Sequence, residues 1–418
     1  MITACVVIGP GSILTSSNVG ATNGFAMAWV VVVACICMQI YMGLGARLGL
    51  TADRSPAELI TERAGRWLAV LIGCSVFFIS AAFQFGNNLG VDSAFRVFPL
   101  FQGFDYIVIL FNALSIAFLF GFRNLYRAVE LLMTAFVGLM LVSFAINLAF
   151  AIFLAPPAET AAPTGRGSFL DVSVLGLVGT TFVITAAYYQ TYLVRQKGWG
   201  FHQLQDGLLD TRVGAVIMAL ITLMIMSTAA IVLRGHQLGS VADVALQLEP
   251  LFGTWGQIVF CVGLFSAAYS SFLVNSMIGG FVLADGLGLG SRPDQLWPKV
   301  MTTAVLLTGM VVALIVIKLR WQPVPAIVLA QAVTVVAAPV LAGTLLWLTS
   351  LRSVMGEQRV GWLTKLPAGL AFLLLLAMAG YTAAVKIPEG LQNLRASSEQ
   401  AAVSGAEPDR HQGDREHR

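Results

Sequence analysis

The chain has 418 residues, of which 57% are hydrophobic and 11% charged, with a mean hydropathy of +0.83 and a formal net charge of +3 at pH 7. A soluble domain carries about 25% charged residues because it must cover itself with solvated groups, so this composition excludes a soluble globular protein. The small net charge gives no basic footprint for nucleic acid, and nothing in the sequence indicates an enzyme or a bound cofactor.

Apolar runs near the length that crosses a ~30 Å hydrocarbon core predict about eleven helical spans. They fall near residues 1–20, 24–46, 67–92, 104–122, 127–154, 170–194, 211–233, 252–284, 300–317, 323–349 and 363–386. The first run lacks a basic n-region and its apolar character does not stop, so no cleavable signal peptide is expected. It contains Gly9-Pro10-Gly11-Ser12, where proline removes a backbone donor and glycine resists helix. Thr15, Ser16, Ser17 and Asn18 follow, an unusually polar stretch for a span. Only eight residues precede Gly9, about 12 Å of helix. A half-span plus a cytoplasmic arm needs more, so either the arm is absent or the chain begins downstream of a longer natural start.

The third span carries Gln84, Asn87 and Asn88, three amides that need partners or water at membrane depth, and is expected to line a pathway. Gly86 and Gly90 in the same span are spaced for close helix contact. The sixth span is interrupted around Gly179-Thr180-Thr181 and continues with Thr185, Tyr188, Tyr189 and Gln190. Hydroxyls such as Thr15, Ser16, Ser17 and Thr191 are expected to bond back to their own helices or to glue helices together. The two tyrosines suit packing and a site equally. Cys5, Cys35, Cys37, Cys74 and Cys261 all lie in apolar runs and read as small core residues. His202 and His236 fall in loops, and His411 and His417 in the tail.

Asp92, Glu130, Asp210 and Asp285 are the acids nearest to mid-membrane, and all fall near span ends. Glu130 reads as a structural ion-pair partner near Arg123 or Arg127. Interrupted first and sixth spans lie five apart, the sequence pointer to an inverted-repeat transporter whose site is built from unwound helices. Residues 1–388 are read as one transmembrane transport domain, with repeats at about 1–154 and 170–349, and residues 389–418 as a disordered polar tail.

Positive charge sets the expected orientation. The loops that lie inside if the N-terminus is cytoplasmic carry Arg47, Arg54, Arg63, Arg66, Arg195 and Lys197 among others, whereas the opposite loops carry only Arg96, Arg166, Arg234, Lys318 and Arg320. A multi-pass protein of the plasma membrane (the cell inner membrane) with a cytoplasmic N-terminus follows. Its expected surroundings are the lipid bilayer and a small ion or solute as substrate, and nothing in the sequence sets an oligomeric state.

Several segments in order resemble one family. The stretch GPGSILTSSNVGATNGFAMAW resembles the first span of the NRAMP divalent-metal transporters, where a DPGN turn precedes a polar half-helix. ARLGLTADRSPAELITER is similar to the family's loop after the second span, and SAAFQFGNNLGVD stands where the family has its third-span AT...E..G. YRAVELLMTAFVGLMLVSF resembles the fifth span, GLFSAAYSSFLVNSMIGGFVLADGL the eighth, and AIVLAQAVTVVAAPVLAGTLLWLTS the tenth. The resemblance covers roughly residues 5–390. It implies an all-α membrane protein of LeuT-like fold, with two inverted five-helix repeats plus an eleventh transmembrane helix.

The family builds its metal site from the Asp and Asn of the first-span turn, a Met and a carbonyl of the sixth span, and a tenth-span glutamine. Matched residue by residue, these fall on Gly9, Ser12, Val183, Thr180 and Gln331, of which only the glutamine is kept. The family's MPH becomes Val183-Ile184-Thr185, its next histidine falls on Gln190 and its third-span glutamate on Asn87. The chain is therefore identified as a divergent, bacterial-type member lacking both metal motifs. The resemblance places substrate at Gly9, Ser12, Thr180, Val183, Thr185 and Gln331, and a pathway at Gln84, Asn87, Asn88 and Gln190, with no metal ligand assigned.

A dehydrated Mn²⁺ or Fe²⁺ wants anionic oxygen, imidazole or sulfur, and this set offers hydroxyls, carbonyls and amides. Proton coupling needs titratable groups, and the family's acid and both histidines are replaced by neutral residues. Three functions follow. The first is transport of a divalent cation such as Mn²⁺, Fe²⁺ or Mg²⁺, the last suited because it dehydrates reluctantly. The second is transport of a small anion or zwitterion attracted to half-helix N-termini no longer neutralised by an aspartate, with Ser12, Thr15, Ser16, Thr181 and Thr185 as donors. The third is a non-transporting sensor or partner subunit.

Overall fold

A computed structural model of the protein describes residues 8–101, 106–122, 125–154, 171–198, 204–235, 238, 241–319, 323–389 and 392. The polar tail beyond Glu389, apart from Gln392, lies outside the described residues, as do His202, His236, Arg123, Arg166 and Arg320.

The elements are helices throughout the described residues. In chain order they are α1 (Pro10–Asn23), α2 (Ala28–Thr51), α3 (Pro56–Ala64), α4 (Arg66–Arg96), α5 (Ile107–Gly121), α6 (Leu125–Leu154) and α7 (Val172–Thr181). There follow α8 (Ile184–Gln196), α9 (Leu204–Val232), α10 (Val241–Gly286), α11 (Leu296–Lys318), α12 (Pro323–Ser350), α13 (Arg352–Met355) and α14 (Trp362–Tyr381). Seven of them are long and apolar enough to cross a bilayer among the described residues. The other expected spans are occupied by α1, the shorter α5, the pair α7 and α8, and α12, whose Thr334–Ser350 stretch meets Arg352–Gln358 at 66°. Within α10 the chain turns at Gly253 (φ 65°, ψ −172°), a left-handed conformation that favours glycine. The membrane-length part is Gly253–Gly286, close to the expected 252–284.

Lipid offers no hydrophobic drive between helices, so contact depends on close backbone approach. Gly45 and Gly49 of α2 supply it against α8. A Cβ on Gly45 would stand 2.2 Å from the Ala187 carbonyl oxygen, and one on Gly49 would stand 2.5 Å from that of Thr191. Gly280 brings α10 onto the Thr302 backbone of α11, and Gly286 brings it onto the Ala69 carbonyl of α4. The long α10 packs along α4 and is flanked by α6 and α11, while α1 lies against α7 and α9 and touches α4 and α10 with its start. The outer faces are apolar, as on α14, where Leu370 and Leu373 are 61% and 58% exposed, a surface suited to lipid.

The ends of the interrupted helices point to opposite faces. The Gly235 N–H donates to the Ala21 carbonyl (3.1 Å), joining the ends of α1 and α9. The far end of α2, about 36 Å away along 24 helical residues, leads to α3, and the end of α8 reaches that corner, where Arg195 donates to the Asp53 carbonyl (2.9 Å).

Candidate transport site

At the start of α1 only Gly9 is extended (φ −134°, ψ 178°), and Pro10, Gly11 and Ser12 already form the first helical turn. Of the stretch Gly9–Ser12 expected to fail as helix, Gly9 is non-helical and Pro10–Ser12 are helical, while residues 1–7 lie outside the described residues. Proline at the first position lacks only a donor that would have been orphaned there anyway. The Ser12 hydroxyl closes the turn on itself, accepting from the Gly9 N–H (2.9 Å) and donating to the Gly9 carbonyl (2.8 Å).

In the sixth span the helix runs through Gly179 and Thr181, and the break falls later, at Phe182 (φ −91°, ψ 66°) and Val183 (φ −76°, ψ 86°). The Phe182 ring packs against Tyr41 at 5.5 Å between centroids. A helix ending here and another beginning leave backbone carbonyls and N–H groups without intrahelical partners, within a fully buried stretch.

The start of α1 meets the end of α7. Thr15 and Thr180 bring their hydroxyl oxygens to 3.4 Å, and a Cβ on Gly176 would stand 3.0 Å from the Thr15 methyl. Thr15 also bonds back to the Gly11 carbonyl (2.9 Å), and Thr191 to that of Tyr188 (2.7 Å), the self-satisfying role expected of membrane hydroxyls. Ser16, Thr181 and Thr185 do not follow it: among the described residues their buried hydroxyls have no hydrogen-bond partner, and neither does the Gln190 carbonyl oxygen or the Tyr188 phenol. Buried polar atoms are rarely left this way without a water or ligand to serve them.

Val183 and Thr185 line a space of about 10 Å³ with Ile79, Phe83, Thr334 and Ala338, room for roughly one water. Gly9 and Ser12 do not line that space. Gly9 faces α4 and α10 instead: a Cβ there would stand 3.0 Å from the Asn87 side-chain oxygen and 3.0 Å from the Ser271 hydroxyl. Gln331 lies on α12, but its side chain is outside the described residues.

Of the expected pathway amides, Gln84, Asn87 and Asn88 form part of a larger buried chain that Gln190 does not join among the described residues. Asn87 donates to Ser271 and to the Gln84 side chain (3.4 Å each), Asn88 donates to the Gln84 carbonyl (2.8 Å), and Asn112 of α5 donates to Asn88 (2.7 Å). Asn275 of α10 donates to Ser271 (2.7 Å). Asn112, Ser271 and Asn275 were not expected; an amide inside an apolar run was the signal that could have found the two asparagines, and nothing sets Ser271 apart from the other serines of its span. Gly90 lets α4 approach the Pro10 ring, since a Cβ would stand 2.0 Å from its Cγ.

Asp285 lies at the end of its span, as expected, one residue before α10 ends at Gly286. It is only 5% exposed and accepts from the Ser55 hydroxyl (2.7 Å), the Ala57 N–H (3.2 Å) and the Tyr192 phenol (2.6 Å). Asp92 pairs with Arg96 at 2.7 Å, and Glu130 is half-buried on α6. Among the described residues, no group of three or more His, Cys, Asp or Glu side chains is placed to hold a metal ion.

Comparison with known proteins agrees with this geometry. A divalent metal cation transporter MntH of Verminephrobacter eiseniae is 28% identical over 368 residues, covering 84% of this chain and 80% of that protein. Among solved structures, the chain is similar to the manganese transporter of Eremococcus coleocola in complex with an aromatic bis-isothiourea substituted compound (TM-score 0.73, 16% identity, 96% and 90% of the two chains). It is also similar to MhsT in complex with L-phenylalanine (TM-score 0.60, 16% identity, 90% and 97%). The fold is LeuT-like, with two inverted five-helix repeats and an eleventh helix. The description Natural resistance-associated macrophage protein-like matches residues 1–384, and the chain belongs to that family, NRAMP.

Proposed function

We propose that this protein is a secondary transporter that moves a divalent metal cation across the membrane, and that the ion passes the site with part of its hydration shell retained. Membership of the NRAMP family supports a metal-ion cargo, as do relatives described as divalent metal cation transporters, and this kinship does not favour the anion carrier or the non-transporting subunit. The observation that carries the hydrated-ion reading is the chemistry at the two helix interruptions. The Thr180, Thr181 and Thr185 hydroxyls, the neighbouring Thr15 and Ser12 hydroxyls and the Asn87 amide are all neutral oxygens, all buried.

Stripping a divalent ion of its water without a carboxylate to replace it is expensive. Neutral oxygens can instead hold the inner water shell of an ion that dehydrates reluctantly, which selects Mg²⁺ over Mn²⁺. The same neutrality leaves no proton acceptor at Asn87 or Gln190, so transport proceeds without proton coupling. The positive-inside distribution of loop charge supports an N-terminus on the cytoplasmic face of the cell inner membrane.

The test is flux into liposomes holding the purified protein, read with a metal-sensitive dye and a pH-sensitive dye together. Saturable Mg²⁺ entry with no change in lumenal pH is expected. Mn²⁺ entry that acidifies the lumen would overturn the hydrated-ion reading, and no movement of either ion would overturn divalent-cation transport itself.

A further inference from the structure

A cavity of about 440 Å³ opens at the corner where α3, α4 and the end of α10 meet. Arg54, Glu58, Glu62 and Arg66 line its rim, and Asp285 is the lining residue that is buried. The rim charges have partners of their own: Arg54 pairs with Glu62, Glu58 accepts from the Ser55 N–H (2.8 Å), and Arg66 donates to the Gly286 carbonyl (3.4 Å). Asp285 is held by donors from two other elements, the α3 N-cap (Ser55 and Ala57) and α8 (Tyr192).

Behind Asp285, α8 carries Thr185, Tyr188, Tyr189 and Tyr192, which recur at helical spacing on one side of that helix. Tyr192 stacks on Tyr189 at 5.8 Å between centroids. Tyr188 and Thr185 hold buried hydroxyls without partners, and Thr185 lines the small space at the break. A polar stripe therefore joins the interruption between α7 and α8 to the charged cavity, with Asp285 between them.

We propose that Asp285, Tyr192 and Ser55 form the gate closing this end of the transport route, and that the gate opens when water or the cargo cation in the cavity replaces the Tyr192 phenol on the carboxylate. The proposal rests on the reading of the helix interruption as the transport site. A buried carboxylate that loses its donors with nothing in exchange is strongly destabilised, so α8 cannot swing away from α10 while the carboxylate is dry. The cavity supplies the exchange partner, because it brings solvent to the one buried charge that holds α8 shut. Asp285 is thus a positioning residue: it sets where α8 sits.

The gate can be tested without any cargo. A single Thr185→Cys reporter, placed in a chain whose five native cysteines are changed to alanine, is titrated with a small cationic methanethiosulfonate reagent. Tyr192→Phe and Ser55→Ala each remove one donor to Asp285 and are expected to raise the labelling rate about tenfold. Glu62→Gln breaks the rim pair with Arg54 and is expected to leave the rate unchanged. The gate is overturned if neither donor variant labels faster than the parent while thermal melting is preserved, or if Glu62→Gln accelerates labelling as much as they do. If one donor variant fails to fold, the other carries the test. A labelling response, with no divalent-cation movement by the chain that retains Thr185, would reject the cargo and keep the gate; Mg²⁺ flux by that chain with unresponsive labelling would do the reverse.

Discussion

Ser12 and Thr185 both offer a buried hydroxyl near the helix interruptions, and only their surroundings tell them apart. The Ser12 hydroxyl is engaged twice with the Gly9 backbone, so it is first a helix cap. Ser12→Ala is expected to cost about 0.5–2 kcal/mol of stability, seen as a lower melting temperature. Among the described residues, Thr185 has no partner for its hydroxyl. Thr185→Val keeps the shape, removes an unsatisfied polar group and is expected to leave melting unchanged or raised while lowering divalent-cation flux. Equal flux in Thr185→Val and parent would remove that hydroxyl from the site. The sequence shows Ser12 in place of a family ligand and Thr185 in place of the MPH histidine, but which hydroxyl is occupied depends on backbone geometry at Gly9 and on the position of the break.

At the scale of the helices, the interruption of the sixth span was legible because glycine acts locally. The exact break was not: Gly179 marks the neighbourhood, yet the chain departs from helix at Phe182 and Val183, where Phe182 packs on Tyr41 from another helix. Close helix packing follows a similar rule. Gly45 and Gly49 have the four-residue spacing of a small-residue seam, and the structure sets that seam against the α8 backbone. Gly45→Ala drives a methyl group into the Ala187 carbonyl oxygen, a main-chain atom that cannot rotate away. A loss of about 1–3 kcal/mol is expected, measurable as a drop in melting temperature in detergent. Gly369→Ala in α14 meets open space and should be neutral or slightly stabilising through helix propensity.

Over the whole molecule, α1 and α8 lead to opposite faces, and α1 crosses α7 just before the break, where the Thr15 and Thr180 hydroxyl oxygens lie 3.4 Å apart. One end carries the charged cavity and Asp285, and in the described structure the centre leaves only about 10 Å³ at the break. Ligands that bind the folded form raise its stability by mass action, by about 2.7 kcal/mol at a hundredfold excess over Kd. Mg²⁺ is therefore expected to raise the melting temperature more than Mn²⁺ at equal concentration. A larger shift with Mn²⁺ would argue for a dehydrated ion and against the neutral-oxygen site.

Composition and hydropathy determined that this chain lives in a membrane, because so few charged residues cannot solvate a surface of this size. The order of its motifs determined the family and the paired interruptions, since these are properties of local sequence. Tertiary structure alone decided which polar groups are partnered. Asn112 joins the amide chain from the next helix and Asn275 from one distant in sequence, and Asp285 gathers donors from Ser55, Ala57 and Tyr192. The physical reason is that hydrogen bonding and burial depend on positions in space, and a span's sequence records its apolarity without recording its neighbours.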